Sequence, residues 1–284
     1  MVTALLLHGM VAAPAQAWGG AGHRIVAALA ERWLSDPSRA SVARLLAGES
    51  LASIANWADA YREQCANTGP WHYVNIPLAA THYDEARLCP AEPSCVVRAI
   101  EQARDVLADA TQSDADRAFA LRLLVHFVGD LHQPLHSGDR KDRGGNDQFV
   151  RFEGKLQTLH AFWDHELIRW SGRSEPDYVV QLEQSMRPAL RESLQRGEVF
   201  EWALEAKRAA RLAYRGIPEA RSEERAVPLR AQYAQNMLPV ADRQLSRAAA
   251  RLAKLLNDAF AQSGSGAEAQ LAGLRACSGP RPRR

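Results

Sequence analysis

Along most of the chain, apolar residues recur three and four positions apart, the period of a helix with one buried face. The pattern runs through "HRIVAALAERWL", "SRASVARLLAG", "LASIANWADAYREQ", "CVVRAIEQARDVLADA" and "RAFALRLLVHFVGDLHQ". It resumes in "LHAFWDHELIRW", "PDYVVQLEQSMRPALRESLQRG", "VFEWALEAKRAARLAYRG" and the long "LRAQYAQNMLPVADRQLSRAAARLAKLLNDAF". Only "DQFVRFEGKLQTL" alternates with the period of two that marks strands, with Glu153 and Gly154 as the turn of a small hairpin. The pattern predicts a mainly α, single-domain multi-helix bundle with one minor hairpin.

No repeat, linker or low-complexity block interrupts these segments, so one domain is expected over 18–260, followed by a loose, small and polar tail over 261–284. The opening 17 residues are uncharged and mostly apolar and end in Ala15-Gln16-Ala17, the pattern of an export signal cleaved before Trp18. No basic residue precedes the apolar stretch, which is unusual for such a signal. The run is too short to span a bilayer, so a secreted or periplasmic protein without membrane anchor is expected.

Composition and charge narrow the choices. Of 284 residues, 46% are hydrophobic, enough for a substantial core. Lys and Arg number 35 against 33 Asp and Glu, a net +2, so any polyanion must be attracted by local rather than bulk charge. Among the four cysteines, Cys89 and Cys95 bracket the loop "CPAEPSC" and suit a local disulfide in an exported protein, leaving Cys65 and Cys277 as a default pairing. No CxxC suggests a thiolate metal site.

The chemistry concentrates in "HFVGDLHQPLH". His126 and Asp130 share a helix face at i and i+4, and Pro134 ends the helix so that the turned chain can bring His136 back toward the same cavity. Imidazole and carboxylate converging from a helix and the bend beyond it suit zinc; a helix carrying exposed histidines and a capping Asp is the plain alternative. A second His/Asp pair of the same spacing, His160 and Asp164, lies in "LHAFWDHEL". Asp59 and Arg62 lie a turn apart in "NWADAYR", and His72 stands between aromatic neighbours in "GPWHYVN"; each would be unremarkable alone. Cleavage before Trp18 would free an α-amine that can chelate a metal together with the adjacent carbonyl oxygen, with His23 five residues on.

In order and over nearly the whole mature chain, Trp18, His23, Asp59, His72, His126, Asp130, His136, His160 and Asp164 resemble the ligand set of the zinc-dependent single-strand-specific nucleases of the S1/P1 family. The neighbours "WAD", "WHYVN", "GDLHQPLH", "GGND" and "LHAFWD" match as well. The resemblance implies three Zn2+. Asp59, His72, His126 and Asp130 would hold one, Trp18, His23 and the shared Asp130 a second, and His136, His160 and Asp164 the third.

It also implies that a hydroxide between the close metal pair attacks phosphodiesters of single-stranded DNA or RNA, giving 5′-phosphate products, with 3′-nucleotidase activity alongside. Asp59 would orient the nucleophile and Arg62 would support charge developing on phosphorus. Tyr73 would stack a base, which favours single strands because a base inside a duplex cannot reach it. Asn75 stands where fungal relatives carry an acid that reads the base edge, so their base preference does not transfer. Asn146, in the "GGND" loop, takes a substrate or supporting role. His132 is expected to hydrogen-bond near the ligands and His165 to lie on the surface. A monomer is expected. Two rival readings are a zinc phospholipase C, whose relatives place the first His farther from the Trp and close the third site with Glu, and a non-catalytic exported zinc-binding protein.

Overall fold

The computed structural model describes residues 18–90 and 94–261. The leader, the tail beyond residue 261 and the Cys65–Cys277 pairing therefore fall outside the described residues.

The chain begins with α1 (Gly19–Arg32), α2 (Asp36–Leu45), α3 (Leu51–Ile54) and α4 (Trp57–Gln64). A 3-10 turn over Ala66–His72 leads into the two-residue strand β1 (Ile76–Pro77) and the short α5 (Glu85–Leu88). Then come α6 (Val96–Ala108), the central α7 (Asp114–His132), α8 (Pro134–Ser137) and β2 (Gly138–Asp139). The hairpin β3 (Phe149–Phe152) and β4 (Lys155–Thr158) is followed by α9 (Leu159–Ala161), a π-helical turn over Phe162–Glu166 and α10 (Leu167–Trp170). The remainder is α11 (Glu175–Gln184), α12 (Pro188–Leu194), α13 (Val199–Ala213), β5 (Val227–Leu229) and the 31-residue α14 (Ala231–Ala261), which runs through Pro239.

Serine hydroxyls start several of these helices by accepting from amides that would otherwise lack partners. Ser35 caps α2, Ser113 caps α7 and Ser174 caps α11. The axis of the domain is α7, packed on α6, α13 and α14. From Leu123 to His132 every residue of α7 is buried, so this half has no solvent face. Its His126 and Asp130 are then polar groups inside a hydrophobic core, which is costly unless something satisfies them.

The hairpin forms as expected, with Phe152 opposite Lys155 and both turn residues, Glu153 and Gly154, at positive φ. A strand that the alternation did not reveal, β5, joins β3 in parallel with Pro228 on the sheet edge, where a missing N–H costs no ladder bond. A second small pairing, β1 with β2 in parallel, stitches the segment after His72 to the segment after His136. Cys89 and Cys95 form the expected disulfide, with Cα atoms 5.4 Å apart. No helix among the described residues is long and apolar enough to cross a membrane.

Candidate metal centre

Seven elements deliver eight polar side chains to one buried region. His126 and Asp130 project from α7, with Nε2 and Oδ2 3.3 Å apart. Across from them, α4 brings Asp59, whose Oδ1 lies 3.7 Å from His126 Nε2 and 3.7 Å from His72 Nδ1. His72 also meets Asp130 Oδ2 at 2.9 Å through Nδ1. From α1, His23 stacks on His126 with ring centroids 3.9 Å apart and places Nε2 3.4 Å from Asp130 Oδ1. This approach requires Gly129, because a Cβ there would sit 2.6 Å from His23 Nδ1.

The turn after α7 brings His136, and the segment after the hairpin brings His160 and Asp164. His136 Nε2 lies 3.0 Å from His160 Nε2, and His160 Nε2 lies 3.3 Å from Asp164 Oδ2. His136 Nδ1 is 3.8 Å from Asp130 Oδ1, so the two sets adjoin. Asp164 sits in the π-helical turn, a form that recurs at functional sites because it re-aims side chains within a helix. The "GGND" loop closes over this set, and Gly144 is obligatory there: a Cβ would meet the Leu135 carbonyl oxygen at 2.1 Å.

Ring orientation follows from the main chain. Nδ1 of His126, His136 and His160 faces the carbonyl oxygens of Ala55 (2.8 Å), His72 (2.7 Å) and Gly144 (2.7 Å). A carbonyl only accepts, so each Nδ1 carries the proton and each Nε2 lone pair points into the cavity. His23 Nε2, His126 Nε2, Asp130 Oδ1 and Asp164 Oδ2 are buried without a hydrogen-bond partner among the described residues. Orphaned buried acceptors that converge need a cation. Three His/Asp groups have ligand atoms close enough to share one: His23 with Asp59 and His126, His72 with His126 and Asp130, and His136 with His160 and Asp164. Nitrogen donors at ~2.0–2.1 Å in tetrahedral geometry stand about 3.3 Å apart, so these separations and this donor set fit zinc.

Electrostatics differ across the cluster. Burial pushes His136 down to about 3 and His160 to about 4, and lowers His23 and His72, so these rings are neutral ligands at neutral pH. Burial also acts on His126, but Asp130 and Asp59 overcome it and raise the ring to about 9. Asp130 is held well below the usual carboxylate range, its burial outweighed by the imidazoles around it. Burial raises Asp164 well above that range, against the hydrogen bond from Gln133.

Trp18 lies fully buried at the start of α1, with its main-chain N–H toward the Asp164 carboxylate and its carbonyl accepting from Gly22. The residue expected to head the mature chain thus stands against the third His/Asp group. Arg62 Nη2 is 3.3 Å from Asp59 Oδ1. Tyr73, 40% exposed, lines a cavity of about 360 Å³ together with Asn75, Arg87 and Lys141. Asn146 is outside this lining; its amide donates to the Arg143 carbonyl within its own loop.

The sequence reading missed Gln133, whose position between Asp130 and His136 was the available signal. It also misjudged His132. That ring turns away from the cluster, with Nδ1 on the Val128 carbonyl at 2.7 Å and Nε2 facing Arg251 Nη1 at 2.9 Å. His165 is exposed, as expected.

A helical domain enclosing adjoining His/Asp groups able to hold cations defines a class, proteins built around a multi-cation centre. The profile of the S1/P1 Nuclease family matches residues 18–261, and the chain belongs to that family. It is 30% identical to Endonuclease 2 of Arabidopsis thaliana over 276 residues, 86% of this chain and 90% of that protein. It is 38% identical to Nuclease P1 of Penicillium citrinum over 158 residues, covering 52% of this chain and 57% of the relative. Nuclease S1 of Aspergillus oryzae is 30% identical over 155 residues, 52% of this chain and 53% of its own length. The protein is therefore a phosphodiesterase, a nuclease whose substrate is nucleic acid.

Proposed function

We propose that the mature chain, starting at Trp18, is a monomeric, secreted or periplasmic zinc endonuclease of single-stranded DNA and RNA. It leaves 5′-phosphate products and acts as a 3′-nucleotidase, holds three Zn2+, and has its catalytic domain over 18–260. The observation that carries this reading is the convergence of three adjoining His/Asp groups, two of them sharing His126, beside a half-exposed aromatic ring at Tyr73.

His72, His126, Asp59 and Asp130 would hold one ion; Trp18, His23 and Asp130 a second; His136, His160 and Asp164 the third. When bound, zinc supplies Lewis-acid polarisation of phosphate and lowers the pKa of water toward neutrality. The chain's own residues do the rest. Asp59, 5% exposed at the rim of the cluster, accepts the hydrogen bond of the attacking water and orients it. Arg62, one turn along α4, faces charge that builds on the phosphate oxygens. Tyr73 offers a stacking face that any unpaired base can use and a base held in a duplex cannot. Burial of His136 and His160 keeps these two imidazoles neutral, so they coordinate rather than repel a cation.

The test is incubation with single-stranded DNA, RNA and a phosphatidylcholine dispersion, each with and without chelator. Chelator-sensitive loss of nucleic acid supports the reading. Hydrolysis of the lipid alone would point to a phospholipase, and zinc uptake without turnover to a storage protein.

A further inference from the structure

Gln133 closes the C-terminus of α7 in extended backbone, φ −71° and ψ 118°, as the following Pro134 demands. It is wholly buried. Its side-chain oxygen accepts from the Leu135 N–H at 2.6 Å. An N–H can only donate, so this contact fixes the amide's orientation and leaves Nε2 as the donor on the other side. That donor reaches Asp164 Oδ1 at 2.6 Å. Asp164 Oδ2, buried and without a hydrogen-bond partner, is thereby turned toward His160 Nε2 at 3.3 Å. The Gln133 carbonyl meanwhile accepts from the His136 N–H at 3.0 Å. One residue grips the turn that delivers His136 and the carboxylate that faces it from a different element.

We propose that Gln133 is a positioning residue for the third His/Asp group: its amide fixes which oxygen of Asp164 joins His136 and His160, and so sets how tightly that group holds its ion. The inference rests on the reading of His136, His160 and Asp164 as one metal site. Gln133 touches neither substrate nor the reacting atoms.

The experiment is chelator competition on the purified mature chain at pH 8, following zinc per chain, with thermal unfolding of the metal-stripped protein in parallel. Gln133→Glu keeps an acceptor for the Leu135 N–H but sets a carboxylate against Asp164 Oδ1. Gln133→Leu removes both contacts. In Gln133→Glu one zinc should leave at a chelator concentration about 10–100-fold lower than in the unmodified chain, while the other two leave at unchanged concentrations. Unfolding of the metal-stripped form should stay near that of the unmodified chain. Gln133→Leu should lose the same zinc and also unfold earlier, since the turn loses its cap. Asp164→Asn marks which zinc is meant. Unchanged retention of all three ions in Gln133→Glu overturns the proposal and leaves the metal reading intact. If the unmodified chain binds no ion that Asp164→Asn loses, the metal reading itself fails and takes the proposal with it.

Discussion

Helix α7 carries two buried histidines six residues apart whose surroundings could hardly differ more. His132 has both ring nitrogens engaged, by Val128 and by Arg251. Because an arginine only donates, this imidazole is neutral, and its neighbours push it well below the usual range, burial first and the Arg251 charge second. Arg251 is satisfied in turn by the Leu194 carbonyl and the Glu205 carboxylate, and its guanidinium lies over Trp202. His126 has one nitrogen pinned and the other aimed, without a hydrogen-bond partner, at a space shared with Asp59, Asp130 and His72. The same residue type, helix and degree of burial serve two ends. Complete satisfaction marks structure, and convergent dissatisfaction marks a site.

The contrast can be broken most forcefully at the site. Asp59→Asn is expected to lower kcat on single-stranded DNA by roughly 10³-fold while the protein stays folded, as measured by turnover and circular dichroism. Turnover equal to the unmodified chain would remove Asp59 from its role.

On the structural side, Arg251→Met should leave His132 Nε2 without its donor and take from Glu205 the tightest of its arginine partners, at a cost of about 1–3 kcal/mol in unfolding free energy. Denaturant titration of the metal-stripped protein measures this. Zinc content below the unfolding transition should be unchanged, which separates the two halves of the comparison.

Acid should sharpen it further. An unfolded histidine takes up its proton near pH 6.5, whereas burial holds folded His136 to about 3 and His160 to about 4. The unfolded state therefore binds more protons between these values, and the metal-stripped fold should lose stability as pH falls from about 6.5 toward 4. Metal should be released over the same descent, because protonation competes with coordination. Unfolding midpoints and zinc content across a pH series would expose a flat response.

The smallest expected effect is at the rim. Tyr73→Ala should weaken binding of single-stranded substrate by about 1–3 kcal/mol, seen as a raised KM with kcat little changed.

Most of the helices were legible in their periodicity, and the side chains of the metal-like cluster in their order along the chain. The departures are instructive. Residues 51–64 read as one helix, yet the chain breaks between α3 and α4. The carbonyl of Ala55, at that break, accepts from His126 Nδ1. Local periodicity fails there because a ligand must be oriented. The run from 176 to 197 divides because Pro188 forces Arg187 into extended backbone. β5 was hidden by its three-residue length and central proline, and β1 and β2 by having two residues each. His132 stood in the same motif but off the helix face that His126 and Asp130 share, which spacing shows without telling what the ring meets. Only the position of Arg251, 119 residues on, decides where that ring turns.

The claim that these orphaned donors exist to hold zinc is tested most directly by the metal content of protein whose N-terminus has been sequenced as Trp18. Three zinc ions per chain, removed by chelator together with nuclease activity and restored with it, is the expected result. Correctly trimmed protein that contains no zinc, and stays inert when zinc is added, would contradict it.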